Sequence, residues 1–158
     1  MNGADADVII IGAGPAGLSA ALNLVRARRR VLLLDSNRPR NAATLVSHGF
    51  LTRDGITPHE LRRLGREELE AYPGVEYHLG RVERITRVDG GFEVEARRVN
   101  ASPDRTVTAP AILIASGLKE TLPALPSIRS YYGIGLFSCI ECDGYEHSDK
   151  PLALIGET

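Results

Sequence analysis

Absences narrow this 158-residue sequence first. No stretch approaches the run of about eighteen apolar residues that a bilayer span requires, so no membrane partner is expected. The opening Met1-Asn-Gly-Ala-Asp-Ala-Asp7 is acidic and leads straight into an apolar run. It does not read as a signal peptide, and a cytoplasmic location is the expectation. An excess of one charge is also missing: Lys and Arg total 19 against 20 Asp and Glu, a net charge of −1. The only dense basic cluster, Arg28-Arg29-Arg30, falls at the end of an expected helix, where cations complement the helix dipole. No nucleic-acid partner is expected. Cysteines number two and histidines four. A structural zinc site wants four ligands, so half a site at Cys139 and Cys142, with His147 nearby, is a minor alternative and the expected metal is none.

What is present is concentrated in the first forty residues. Val8 to Ile11 is a β-branched apolar run of buried-strand length. Gly12, Gly14 and Gly17 follow as G-x-G-x-x-G. The first glycine permits a tight turn, the second lets a pyrophosphate approach the backbone, and the third lets the next helix pack close. That helix, expected over Pro15 to Arg29, directs free N–H groups and its positive dipole end at the phosphates. Pro15 suits its first turn. A second strand, Val31 to Leu34, ends in Asp35, where a carboxylate accepts hydrogen bonds from an adenosine ribose. Strand, glycines, helix, strand and acid in this order point to a dinucleotide site.

The chain beyond is less specific. Arg38 and Arg40 lie in a polar loop and are either adenylate contacts or solvated charges. His48, in Ser47-His-Gly-Phe-Leu51, either faces a flavin ring or is an ordinary histidine. Thr57-Pro58-His59-Glu60 reads as a capped helix start. Leu61, Leu64, Leu69 and Tyr72 then form its apolar face, with Arg62 and Arg63 largely elsewhere, so this helix is taken as structural. From Val75 the period moves towards two. The expectation is a parallel strand over Val75 to Leu79, then an antiparallel meander over about Arg81 to Thr108 turning at Asp89-Gly90-Gly91. Val82 either meets an adenine edge or is a buried strand valine. Ala111 to Ala115 is a further buried strand ending at Ser116-Gly117, and Pro151 to Ile155 should begin another.

Gly12-Ala-Gly14-Pro-Ala-Gly17, Ala115-Ser-Gly117 and Cys139-x-x-Cys142-Asp143-Gly144, in this order, resemble the low-molecular-weight thioredoxin reductases. His48-Gly-Phe-Leu-Thr-Arg-Asp-Gly55 and Cys142-Asp-Gly-Tyr-Glu146 resemble the gliotoxin- and holomycin-type enzymes that handle small dithiols. The resemblance implies an α/β fold: a three-layer, Rossmann-like FAD/NAD(P)-binding domain with an antiparallel β-meander. Residues 1–120 would be an FAD-binding domain and residues 121–158 the start of a pyridine-nucleotide domain carrying the cysteines. FAD would be held by Gly12, Gly14, Pro15, Ala16, Gly17, Asp35, Ser36, Asn41, His48, Val82, Ala115 and Gly117. Cys142 would meet flavin C4a, Cys139 would exchange with substrate, and Asp143 would move the proton. The partner would be a thioredoxin-like protein or a small dithiol or disulfide, and the full-length enzyme a homodimer.

A C-x-x-C pair can close a disulfide, and thiolate attack through a mixed disulfide carries electrons out of it. The resemblance also implies NADPH as reductant. The second glycine turn, however, reads Gly156-Glu157-Thr158, with Thr in place of glycine, which argues against an ordinary NADPH site. Glu141 lies between the cysteines, where its charge disfavours a thiolate. The family's return segment beneath the flavin does not follow, so the expectation is an N-terminal portion of a longer enzyme, holding FAD weakly and turning over little. The competing readings are another flavoenzyme, such as a monooxygenase with incidental cysteines, and the zinc domain.

Overall fold

A computed structural model describes residues 3–156. The chain divides into two compact units. The first comprises the described residues up to Ala42 with His59–Glu120, and the second comprises Ala43–Pro58 with the residues from Thr121 onward. Residues 43–58 thus pack with the segment that carries the cysteines.

The first unit is built as β1 (Val8–Ile11), α1 (Pro15–Arg26), β2 (Val31–Asp35), α2 (Pro58–Glu70), β3 (Val75–Val88), β4 (Gly91–Arg98), β5 (Arg105–Ala109) and β6 (Ala111–Ile114). The strands form one sheet in the order β5-β4-β3-β2-β1-β6. β1 runs parallel to both β2 and β6, with Val8 opposite Val31 on one side and Ala111 on the other. Alternation along these strands explains why they read as unbroken apolar runs. Ile9, Leu32 and Leu34 pack on one face against Val94, Ala96, Val107 and Ala109 of the meander. Ile10, Val31 and Leu33 pack on the other face against Leu18 and Ala21 of α1 and Leu69 of α2. Helices, parallel strands and meander are the three layers expected from the sequence.

Three local expectations are corrected. The strand expected to end at Leu79 continues unbroken to Val88. Its first five residues pair parallel with β2, and from Gly80 onward it pairs antiparallel with β4. An irregularity between Val82 and Arg84 bends the strand so that the meander folds back over the sheet. The predicted hairpin turn is present: Val88 faces Gly91, leaving Asp89-Gly90 as its loop. The strand expected over Pro151 to Ile155 is not formed, and Leu152, Leu154 and Ile155 are exposed. A parallel strand exists only when a neighbour pairs with it, and apolar content alone does not supply one.

The first helix ends at Arg26 rather than Arg29 because the chain turns left-handed at Arg28, with φ 60°. The Arg29 N–H then bonds the Leu24 carbonyl at 3.0 Å and the Arg28 N–H bonds Val25 at 2.9 Å, a Schellman closure. Glycine is the usual occupant of that position, and a side chain there is strained.

The second unit contains two single-turn helices, α3 (Ile128–Tyr131) and α4 (Ile140–Asp143), and a 3-10 turn over Tyr145–His147. Ser47 and Ile56 form an isolated antiparallel bridge that closes the loop between them. No helix among the described residues is long and apolar enough to cross a membrane.

The Arg28 conformation generates a direct test. Arg28→Gly should stabilise the chain by about 0.5–1 kcal/mol, read as a higher denaturant midpoint at unchanged slope. An unchanged or lowered midpoint would show that the Arg28 side chain contributes more than its strained backbone costs.

Candidate dinucleotide cleft and cysteine pair

The turn between β1 and α1 is shaped by contacts that leave no room for side chains. A Cβ on Gly12, whose φ is 105°, would lie 2.4 Å from the Ala115 carbonyl oxygen, and one on Gly17 would lie 1.8 Å from the Gly12 oxygen. Gly17 therefore serves close packing of the helix against the turn. A Cβ on Gly14, by contrast, would meet nothing within 4 Å, so that glycine borders open space. Gly14 is also the N-cap of α1, and no side chain caps the helix there. Its first N–H groups and positive dipole end are available to an anion.

Beneath the turn lies a buried charge pair. Asp35, at the end of β2, receives the Ala13 N–H on Oδ1 at 3.3 Å, and on Oδ2 it receives Arg62 at 2.8 Å and the Tyr77 hydroxyl at 3.1 Å. Arg62 also reaches the Ala13 carbonyl at 3.4 Å and the Asn37 side chain at 3.0 Å. The Asp35 and Arg62 side chains are 10% and 7% exposed. Both the N–H and the C=O of Ala13 are thus held by this pair, which fixes the glycine turn.

Arg62 was expected among the solvent-facing residues of α2. It is buried instead, because Pro58, Arg62 and Leu69 form the inward stripe, with Gly65 against Leu18. The spacing of four, three and four residues is helical, so an arginine inside that stripe was the available signal. Burial, followed by the nearby Asp35 carboxylate, pushes the Tyr77 hydroxyl up to about 12.

A cleft of about 440 Å³ opens above this pair. Of the residues expected to hold FAD, Gly12, Gly14, Pro15, Asp35, Ser36, Asn41, Val82, Ala115 and Gly117 line it together. Ala16 and Gly17 do not: Ala16 is exposed and Gly17 is buried under the turn. Arg38, one of the two candidate adenylate contacts, lines it too, as do Arg81, Ser116 and Leu118, which were not singled out as cofactor ligands. Arg40 also lines it and is paired with Glu120 at 2.7 Å.

In the second unit, Cys139 and Cys142 are joined as a disulfide, with Cα atoms 5.3 Å apart. Helical spacing brings them together: Cys139 is the N-cap of α4, and the Cys142 and Asp143 N–H groups both bond its carbonyl at 3.3 Å. Cys142 is exposed and Cys139 half-buried. The His147 Nδ1–H donates to the Asp143 carbonyl at 2.8 Å, and its ring stacks at 4.6 Å on Phe137. His48 belongs to this unit, with Nδ1 3.3 Å from Asp54 and Nε2 3.5 Å from Glu146. The Gly49 N–H, and then His48, hold the Asp54 carboxyl below its ordinary range.

The family model described as pyridine nucleotide-disulphide oxidoreductase matches residues 6–157. The chain belongs to that family. An Arthroderma benhamiae protein named Probable thioredoxin reductase is 36% identical to this chain over 154 residues, covering 95% of the chain and 37% of its own length. Thioredoxin reductase aclD of Aspergillus oryzae is 33% identical over 147 residues, covering 92% of the chain and 45% of its own length. Among solved structures, the TrxB protein of Bacillus anthracis superposes with a TM-score of 0.85 at 45% identity, covering 92% of this chain and 48% of its own. The chain therefore spans less than half the length of these relatives.

Two features of the cleft are of the kind that an adenine dinucleotide requires. Gly14 leaves space at an uncapped helix N-terminus, and the Asp35 Oδ1 atom, which carries one protein hydrogen bond, retains capacity for a ribose hydroxyl. Of the second glycine turn, Glu157 and Thr158 lie outside the described residues.

The buried pair makes two predictions. Arg62→Leu should destabilise the chain by about 3–5 kcal/mol, because it strands a buried carboxylate. Adding Asp35→Asn should recover part of that loss in a double-mutant cycle; strictly additive losses would deny the coupling. Tyr77 should ionise near pH 12 in an ultraviolet titration. A raised folded-state pKa means that the folded chain holds the extra proton above about pH 10, so stability should fall from there towards 12. Tyr77→Phe should abolish that part of the alkaline loss, and an identical profile would assign it elsewhere.

Proposed function

We propose that this chain is the dinucleotide-binding portion of a flavin-dependent disulfide oxidoreductase in which Cys139 and Cys142 are the redox pair. The observation that carries this reading is the Cys139–Cys142 disulfide, followed by Asp143-Gly144, in a chain that also holds the glycine-turn cleft. Residues 1–120 are read as the FAD-binding domain and residues 121–158 as the start of the domain that presents the cysteines. FAD, when bound, supplies a two-electron carrier. The chain's own contributions are a backbone cradle for the pyrophosphate at Gly12, Gly14 and the α1 N-terminus, an acceptor for the ribose at Asp35, and apolar contact at Val82.

At the cysteines, two electrons and two protons convert the disulfide to two thiols. In the outward direction the Cys139 thiolate attacks a substrate disulfide, forming a mixed disulfide and releasing one substrate thiolate. The Cys142 thiolate then attacks the Cys139 sulfur, restores the intramolecular bond and releases the second substrate thiolate. Asp143 is assigned the proton exchange, its carboxyl lying one residue from Cys142. The substrate class is a protein or small-molecule disulfide, with a thioredoxin-like protein favoured by the names of the relatives.

The test separates cradle from cysteines. The full-length enzyme, purified and freed of excess FAD, should retain flavin absorbance. Gly14→Val should lose it while staying folded, because the new side chain enters open space at an unstrained backbone of φ −75°. Cys142→Ser should retain the flavin yet abolish flavin-dependent disulfide reduction. A full-length enzyme that never takes up FAD, or a full-length Cys142→Ser protein with full turnover, overturns the proposal.

A further inference from the structure

Beside the dinucleotide cleft the first unit holds a second concavity, of about 750 Å³, lined by Arg38, Arg81, Arg97 and Arg98 together with Ser36 and Asp104 among others. The two concavities share Ser36, Arg38 and Arg81, so they are neighbours along one wall. The sequence offered no warning of this cluster, since its arginines come from the loop after β2, from β3 and from the end of β4.

Three observations mark the concavity as more than a solvated rim. Arg81 and Arg97 are direct cross-strand partners in the β3–β4 ladder. Like charges directly opposite one another destabilise an antiparallel pair, so the sheet carries a repulsion that its own pairing does not remove. Second, compensation is sparse. Arg81 reaches Glu83, whereas Arg38, Arg97 and Arg98 have no carboxylate within ion-pairing distance among the described residues. Third, the acid that lines the concavity has one oxygen already engaged: Asp104 Oδ1 accepts the Arg98 backbone N–H at 2.7 Å. The named lining groups therefore sum to a clear positive charge in a chain whose net charge is −1. Guanidinium forks match the tetrahedral, multiply charged oxygens of phosphate better than a single carboxylate, and a concave wall focuses their field.

We propose that this concavity is a binding site for a small phosphate-class polyanion, separate from the dinucleotide and able to be filled while the dinucleotide cleft is occupied. The phosphate has two sources with the same chemistry, a free polyphosphate or the phosphate tail of a second nucleotide.

The probe is inorganic pyrophosphate, titrated calorimetrically into the full-length enzyme saturated with FAD and into the enzyme without it. The FAD-saturated protein should bind pyrophosphate saturably, and acetate at matched ionic strength should not reproduce the binding. Arg97→Gln combined with Arg98→Gln should weaken it about tenfold or more, with FAD uptake and circular dichroism unchanged. ADP binding more tightly than pyrophosphate at this site assigns the nucleotide source, and weaker binding assigns the free one. Absence of saturable binding, equal affinity in the double variant, or complete displacement by FAD each overturns the proposal. If the full-length enzyme takes up no FAD, the proposed function fails, but the comparison of unliganded wild type with the double variant still decides this site.

Discussion

One buried ion pair, Arg62 with Asp35, joins the parts on which the cleft depends. It ties the end of the second strand to the second helix and, through both polar groups of Ala13, to the glycine turn that joins the first strand to the first helix. A carboxylate and a guanidinium removed from water are tolerated only when each finds partners, and here Ala13, Asn37 and Tyr77 supply the remainder. The arrangement leaves one face of Asp35 committed inward and one oxygen less heavily used. A residue type suited to a ribose thereby also becomes the bolt that holds its own binding loop.

Around that point the sheet is sorted by alternation. Successive residues of β1 and β2 face helices and meander in turn, so two apolar cores form on opposite faces of the same four- and five-residue strands. β3 extends this logic by changing partners midway, parallel to β2 and then antiparallel to β4. The same continuation places Arg81 opposite Arg97 and creates a basic wall next to the cleft. Fold and electrostatics are therefore set by a single bent strand.

The cysteine unit is organised differently. Its elements are single turns and isolated bridges, and its order comes from local contacts: the N-cap position of Cys139, the His147 bond to Asp143, and the His48 contacts with Asp54 and Glu146. Cys139 and Cys142 are joined within that scaffold, Cys142 exposed and Cys139 half-buried.

What the sequence determined by itself is what short range controls. The glycine spacing, the β-branched run before it, the acid after the second strand, the two-residue hairpin loop and the i, i+3 cysteines are all written within a few turns of chain. Each was therefore legible as a strand, a turn, a cleft residue or a disulfide. The tertiary structure alone decided that Arg62 turns inward, that β3 is one strand with two partners, that residues 43–58 pack with the cysteine segment, and that four arginines from three separate segments line one concavity. Those outcomes depend on which surfaces meet after folding, and an arginine's side is chosen by a carboxylate 27 residues away rather than by its neighbours in sequence.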